Sequence, residues 1–203
     1  MSEAKAAIFD VDGTLVDSLP RYWEAWSLWA KRNHMPMTRE EFDERYNGLQ
    51  VRDIVGIVMA RGQSTRTAED LLQDYFQARE QVEQLERHGP TAIACVVSLA
   101  EDFAARKVPL FAASNGLRRD VEALLQSTGL SRLFPSERVL CAEDLPGGRG
   151  KPDPAIFLAA AKMMGVEPKD CVVFEDSEVG VRAATLAGCR VINVRRLPGY
   201  PSA

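Results

Sequence analysis

The second half of the sequence alternates short apolar segments with longer amphipathic ones, and this alternation limits the folds open to the chain. The apolar segments have the length of buried strands and lie at 108–113, 138–142, 171–174 and 190–194. The amphipathic segments have helical spacing, and Ser177 is placed to cap the one that ends before Gly188. Strands that alternate with helices predict a doubly wound parallel sheet, that is, an α/β fold.

The stretch from 17 to 88 breaks this pattern. It is rich in charge, its apolar residues recur at helical spacing, and three tryptophans lie between residues 23 and 29. We therefore predict a small α-helical domain inserted just after the first strand, with those tryptophans in its core rather than in a pocket. The α/β core domain would then comprise 1–16 and 89–203, and the helical cap domain 17–88.

The first predicted strand, AAIF, ends in two carboxylates. Asp10 and Asp12 follow it with one valine between them, and Gly13 and Thr14 come next. Two nearby carboxylates each raise the cost of ionising the other. Either a cation lies between them, or the two acids do different work.

Polar residues also follow other predicted strands or precede a helix. They are Ser114, Asn115, Gly116, Lys151, Glu175 and Asp176. Because ligands bind at the carboxyl ends of strands in open parallel sheets, we expect these residues to converge with Asp10 and Asp12. Four acids in one place are tolerable around a metal ion, and an all-oxygen set suits Mg²⁺, which shares a substrate phosphate. Lysine, hydroxyl and backbone N–H groups would hold the anion.

The same residues lie in four motifs that resemble the signatures of the haloacid dehalogenase (HAD) superfamily. The motifs are DVDGTL at 10–15, SN at 114–115, KPDP at 151–154 and FEDSEVGVRAATLAG at 174–188. They occur in the family's order. The helical insert resembles the four-helix cap of the group that contains β-phosphoglucomutase and many sugar-phosphate phosphatases. The resemblance implies a Rossmann-like core with that cap.

The resemblance also implies roles for the matching residues. Asp10 would be the nucleophile that forms an aspartyl-phosphate. Asp12 would protonate the leaving alcohol and then activate water, and its backbone carbonyl would bind Mg²⁺. Ser114 and Lys151 would neutralise the transferring phosphoryl group.

The remaining motif residues would hold the metal and the substrate. Asp176 would bind Mg²⁺ beside Asp10 and Asp12, and Glu175 would bind it directly or through water. Asn115 and Gly116 are expected to contact the substrate.

Other activities of related chemistry remain as alternatives. A dehalogenase does not call for a second acid such as Asp12, and a phosphonate hydrolase needs a cap lysine, whereas the insert contains only Lys31. A β-phosphoglucomutase-like mutase has a lysine and a histidine where this chain has Asn47 and Tyr22. A non-catalytic phospho-ligand binding or signalling protein is a further alternative, although a receiver domain would carry its acceptor aspartate on a later strand. The cap loop of Arg45, Asn47, Gly48 and Arg52 could contact substrate or be a solvated turn.

Charge and composition limit the classes of partner that this protein is expected to bind. The net charge of −4 gives no reason to expect a nucleic-acid or membrane partner. The N-terminus lacks a signal-peptide pattern, and four scattered cysteines indicate reduced core thiols, so we expect a cytoplasmic monomer. The tail from 197 to 203 is expected to be poorly ordered. The sequence as a whole predicts a Mg²⁺-dependent phosphatase acting on a small phosphorylated metabolite such as a sugar or polyol phosphate.

Overall fold

A computed structural model describes residues 4–61 and 66–201. Five parallel strands form one sheet in the order β3-β2-β1-β4-β5. They are β1 Ala6–Phe9, β2 Leu110–Ser114, β3 Val139–Cys141, β4 Cys171–Glu175 and β5 Arg190–Asn193. Each predicted strand starts and ends within two residues of the observed one, so the parallel doubly wound sheet is confirmed.

Helices cover both faces of this sheet. The α-helices of the described residues are α1 Leu19–Arg32, α2 Arg39–Glu41, α3 Val51–Arg61, α4 Ala68–Leu85, α5 Ala94–Ala105, α6 Arg118–Ser127, α7 Ala155–Met163 and α8 Glu178–Leu186. Side chains alternate along β1, so Ala7 and Phe9 pack with α5 and α6 while Ala6 and Ile8 pack with α7 and α8. Two apolar clusters therefore fix β1 at the centre of the molecule.

Helices α1, α3 and α4, with the segment 35–46 between α1 and α3, enclose a third apolar cluster of their own. A π-helical turn, Phe42–Tyr46, continues α2. The ring of Trp26 packs against Tyr75 with centroids 4.1 Å apart, and Trp29 Nε1 donates to the carbonyl of Leu71 at 2.9 Å. Trp26 and Trp29 are buried in this core, as predicted. Trp26 also lines a cavity, so the expectation that the tryptophans stay out of a pocket is wrong for it, because the cap core adjoins that cavity. The domain boundaries at 16/17 and 88/89 stay a prediction.

The C-terminal tail is more ordered than predicted. Leu197 and Tyr200 pack against the cluster that contains Phe9, and the Tyr200 hydroxyl donates to the Gly13 carbonyl at 2.5 Å. The expectation of a loose tail is wrong here because an aromatic ring and a leucine find apolar partners beside the first strand. Residues 202 and 203 lie outside the described part of the chain.

The cysteines lie in or beside the core as unpaired thiols, as their scattered positions predicted. All four cysteines are free thiols. Cys141, Cys171 and Cys189 are buried and Cys95 is half-buried. Among the helices of residues 4–61 and 66–201, none combines the length and the apolar character needed to cross a membrane.

Candidate active site

The candidate site lies at the carboxyl edge of the sheet, where the three central strands end side by side. Asp10 follows β1, Ser114 is the last residue of β2, and Glu175 is the last residue of β4. Because β2 and β4 flank β1 in parallel, the topology alone brings these side chains together.

Three carboxylates and one lysine form the floor of the site. Asp10, Glu175 and Asp176 offer oxygen atoms that lie within 4.8 Å of one another. Lys151 Nζ donates to Asp10 Oδ1 and to Glu175 Oε1, both at 2.5 Å. All four side chains are nearly inaccessible. Buried charges of this kind persist only when they are paired, so Lys151 compensates two of the three acids.

The charges of the floor shift one another's pKa. Burial raises the pKa of Asp10 well above its usual range, and Lys151 opposes that shift. Burial alone would lower the pKa of Lys151, but Asp10 and Glu175 outweigh burial and raise it. Lys151 is therefore a permanent cation at the floor.

Asp176 is held by other residues than Lys151. Its Oδ2 accepts from Asn47 Nδ2 at 2.9 Å and from Arg195 at 3.0 Å, and its Oδ1 lies 3.5 Å from the Thr14 hydroxyl. Burial and the neighbouring Glu175 raise the pKa of Asp176 to about 6. A cation near this carboxylate would favour its ionised form.

Asp12 has a more open environment than Asp10. It is half-buried and lines a cavity. Its Oδ1 accepts from the Ser18 hydroxyl at 2.7 Å, and its Oδ2 lies 3.4 Å from the Ser114 hydroxyl. Burial raises the pKa of Asp12, and hydrogen bonds from Ser18 and Tyr22 moderate the rise. The two neighbouring aspartates thus differ in access and in partners.

Local backbone geometry explains why small residues surround the acids. Gly180 lies where a Cβ would come 1.8 Å from Glu175 Oε1, so only glycine leaves room for that carboxylate. Ser177 caps α8 as predicted, because its hydroxyl accepts from the Gly180 N–H at 3.1 Å. The Ser177 hydroxyl and N–H also donate to Glu175 Oε2. The start of α8 therefore fixes Glu175.

Asn115 and Gly116 form part of the cavity wall. Asn115 Nδ2 donates to the carbonyls of Gly48 and Lys151, and its Oδ1 accepts from the Lys151 N–H at 2.8 Å. The Gly116 N–H donates to the Ser114 hydroxyl at 2.9 Å. The Asn115 side chain thus orients the backbone of Lys151, while substrate binding by Asn115 and Gly116 stays a prediction.

The cavity has a volume of about 470 Å³ and is lined by both the α/β core and the cap. Asp10, Asp12 and Ser114 lie at its core end, and Trp26 and Tyr75 are among its cap residues. A ligand of this size would reach the acids while the cap helices surround the rest of it.

The loop between the π-helical turn and α3 joins the cap to the core. Asn47 is buried against Asp176, so a solvated turn is excluded there. Gln50 Nε2 and Arg52 Nη2 both donate to the Gly148 carbonyl, at 3.1 and 2.7 Å. Arg45, which the sequence grouped with this loop, is exposed and pairs only weakly with Glu41 at 3.9 Å.

Comparison with known proteins identifies the family. A family model described as "Hydrolase: haloacid dehalogenase-like hydrolase" matches residues 4–188. The chain belongs to this family. A solved HAD-like protein of unknown function from Agrobacterium tumefaciens has a TM-score of 0.73 and 31% identity, over 93% of this chain and 81% of that one.

Several curated members of the family resemble this chain over most of its length. Hexitol phosphatase A of Escherichia coli is 33% identical, over 94% of this chain and 82% of that protein. A fructose-1-phosphate phosphatase of the same organism is 30% identical, over 94% and 96%. A β-phosphoglucomutase of Bacillus subtilis is 25% identical, over 94% and 83%.

Sequence reasoning missed residues that lie outside the four HAD motifs. Arg195 follows β5 and reaches Asp176, while Ser18 reaches Asp12 from the start of α1. Arg79 of α4 and Asp120 of α6 meet at the cavity wall. The position of Arg195 directly after a strand is a signal that could have placed it at the same edge of the sheet.

Proposed function

We propose that this chain is a Mg²⁺-dependent phosphatase that hydrolyses a small sugar or polyol monophosphate through an aspartyl-phosphate on Asp10. The observation that carries the proposal is the contact of Lys151 with Asp10 at the buried end of a 470 Å³ cavity. A carboxylate held this way can attack phosphorus while a cation offsets the charge of the phosphoryl group. The relatives named for hexitol and fructose 1-phosphate support the substrate class.

In the first step an Asp10 oxygen bonds to phosphorus, and the bond from phosphorus to the substrate alcohol breaks. Asp12 gives its proton to the departing oxygen, for which its raised pKa is suitable. In the second step water attacks the aspartyl-phosphate, Asp12 takes a proton from that water, and inorganic phosphate leaves. Asp10 and Asp12 then return to their starting states.

Lys151 and Ser114 stabilise the phosphoryl group during both steps. Lys151 Nζ lies 2.5 Å from Asp10 Oδ1, and the Ser114 hydroxyl lies 3.4 Å from Asp12 Oδ2. Preorganised donors of this kind usually provide the largest part of the rate gain in phosphoryl transfer.

The donor set fits Mg²⁺. Three buried carboxylates offer oxygen atoms within 4.8 Å of one another; Lys151 pairs with Asp10 and Glu175, and Arg195 pairs with Asp176. Asp10, Asp176 and the backbone carbonyl of Asp12 would hold the ion, with Glu175 bound directly or through water. When bound, Mg²⁺ would withdraw negative charge from the phosphoryl oxygens.

The cap, for which we keep residues 17–88, would exclude bulk water from the reaction. Asn47 and Gln50 bind the core side of the cavity, so closure of the cap is coupled to the acids at the floor. A capped cavity of this volume also favours small metabolites over phosphoproteins and polymers.

Phosphate release from 4-nitrophenyl phosphate and from a panel of sugar and polyol phosphates, with Mg²⁺ present, tests the proposal. The wild type should release phosphate without any bisphosphate cofactor. Asp10→Asn should abolish turnover while the melting temperature stays measurable, whereas Asp102→Asn, an exposed acid on α5, should behave as the wild type.

Two results would contradict the phosphatase. Interconversion of hexose phosphates with almost no phosphate release would support the mutase. Thermal stabilisation by phosphorylated ligands with no turnover of any ester would support a non-catalytic binding protein.

A further inference from the structure

The wall of the cavity contains a partly buried ion pair that joins the cap to the core. Arg79 Nη1 on α4 lies 2.7 Å from Asp120 Oδ2 on α6, and both residues line the cavity. Their side chains are only 13% and 15% exposed. Arg79 Nε also donates to Glu83 at 3.1 Å. The arginine is therefore compensated on two sides.

These residues belong to a longer series of alternating charges between the cap and the core. The described members are Arg119, Asp120, Arg79, Glu83, Arg21 and Glu86. Three positive and three negative groups make the series neutral at pH 7. Of the six, Arg79 and Asp120 line the cavity, so this part of its wall presents hydrogen-bonding groups whose charges cancel.

Arg52 and Glu143 also line the cavity, and their opposite charges leave this balance unchanged. Arg52 is 54% exposed, donates to the Gly148 carbonyl at 2.7 Å and lies 4.0 Å from Asp53. A second anionic group of a substrate that reached Arg79 would have to replace Asp120 there or remain unpaired beside it, and either choice costs binding energy.

We propose that the Arg79–Asp120 pair selects phosphate esters whose leaving group is an uncharged polyhydroxy alcohol and rejects those that carry a second anion. The proposal rests on the phosphatase function above and specifies its substrate class. Hydroxyl groups can exchange hydrogen bonds with a neutral ion pair, whereas a carboxylate or a second phosphate meets Asp120. The pair therefore acts as a charge filter in the cavity wall.

Glucitol 6-phosphate and gluconate 6-phosphate form a matched pair of probes because they differ only in a terminal alcohol or carboxylate. The wild type should favour glucitol 6-phosphate in kcat/KM. Asp120→Asn keeps the shape of the side chain and removes its charge. It should raise the kcat/KM of the gluconate ester relative to the glucitol ester by roughly 10-fold, as expected for a charge pair in a partly buried site.

Glu122→Gln is the control, because it removes an acid of the same helix that pairs with Arg118 outside the cavity. Its ratio of the two substrates should equal that of the wild type. Arg79→Gln should shift the ratio in the opposite direction, toward the glucitol ester. If Asp120→Asn does not fold, the shift of the substrate ratio in Arg79→Gln tests the proposal instead.

Hydrolysis of 4-nitrophenyl phosphate distinguishes a failure of the phosphatase function from a failure of the charge filter. If the wild type releases phosphate neither from this ester nor from the two hexose-derived esters, the phosphatase function itself is wrong. If it does release phosphate, equal use of the two hexose-derived esters by the wild type would overturn the charge filter. A ratio that neither Asp120→Asn nor Arg79→Gln alters, or that Glu122→Gln alters as much, would also overturn it.

Discussion

Asp10 and Asp12 are separated by one residue but have different surroundings. Asp10 is 5% exposed and contacts Lys151, whereas Asp12 faces the cavity and accepts from Ser18. The strand ends before Asp12, and the chain turns directly after it at Gly13, which has a φ of 77°. These different surroundings would suit the proposed roles of Asp10 as nucleophile and Asp12 as proton carrier.

Asp12→Asn should separate the two halves of the reaction. With 4-nitrophenyl phosphate, the leaving group needs no proton, so a burst of nitrophenol of up to one per enzyme should appear. Steady-state turnover should then be slower by about 10²–10⁴-fold, because general-base help to water is lost. Stopped-flow absorbance measures both phases. Turnover as fast as that of the wild type would exclude Asp12 from the hydrolytic step.

Two cavity tyrosines differ in what their hydroxyls contact. The Tyr75 hydroxyl is buried and has no hydrogen-bond partner among the described residues, whereas the Tyr46 hydroxyl contacts Glu41 and Arg61. Tyr75→Phe should leave the free energy of unfolding unchanged or slightly higher, because no hydrogen bond is lost. Tyr46→Phe should lower it by about 1 kcal/mol. Urea unfolding monitored by circular dichroism compares them, and an equal loss in both variants would contradict this interpretation.

At the scale of residues, the sequence predicted the groups that lie within short motifs. Asp10, Ser114, Lys151 and Asp176 follow strands or precede a helix, so topology and resemblance indicated them. Arg195 could not be predicted in the same way, because its role depends on the direction of a long side chain after β5.

At the scale of elements, two helical glycines have opposite surroundings. Gly180 of α8 leaves no space for a Cβ beside Glu175, whereas Gly56 of α3 has nothing within 4 Å of the position of a Cβ. Gly180→Ala should displace Glu175 from Lys151 and reduce kcat strongly. Gly56→Ala should keep the activity and raise the free energy of unfolding by about 0.5–1 kcal/mol, because glycine is costly inside a helix.

Phosphate-release assays and thermal melts of the two variants check this contrast. Gly180→Ala with normal kcat would mean that Glu175 tolerates displacement. The two substitutions add the same methyl group, so a difference between them reports the surroundings and not the change itself.

The positions and the parallel type of the strands could be predicted, because a buried parallel strand is a short apolar run between turn residues. The tail from Leu197 to Tyr200 could not, because its ordering comes from contacts with Gly13 and Phe9 far away in the sequence. The contacts of the cap with the core could not be predicted from the sequence either. They depend on how α4 and the loop at Asn47 settle against α6 and Asp176.

At the scale of the molecule, the cap and the core meet through polar contacts around the cavity. Asn47 contacts Asp176, Arg52 contacts Gly148, and Arg79 contacts Asp120. Apolar residues, in contrast, form separate clusters inside each part. An interface of hydrogen bonds and ion pairs can be exchanged for water more easily than an apolar one, which suits a cap that must open for substrate.

The acid cluster should link the stability of the whole molecule to Mg²⁺ and to pH. Asp176 has a pKa of about 6, above the value of about 4 expected in the unfolded chain. Its proton therefore favours the folded state below pH 4, and this contribution is lost as the pH rises through 6. Mg²⁺ requires the ionised carboxylate, so it should stabilise the protein more at pH 7.5 than at pH 5.

Thermal melts in chelator and in Mg²⁺ at the two pH values measure this linkage. A Mg²⁺ concentration of 100 times the dissociation constant should add about 2.7 kcal/mol at pH 7.5. Asp176→Asn should lose most of that gain and weaken its dependence on pH, because both the proton and the metal use this carboxylate. Asp102→Asn should keep both. If Mg²⁺ stabilised Asp176→Asn as much as the wild type at pH 7.5, the metal would not bind at these acids.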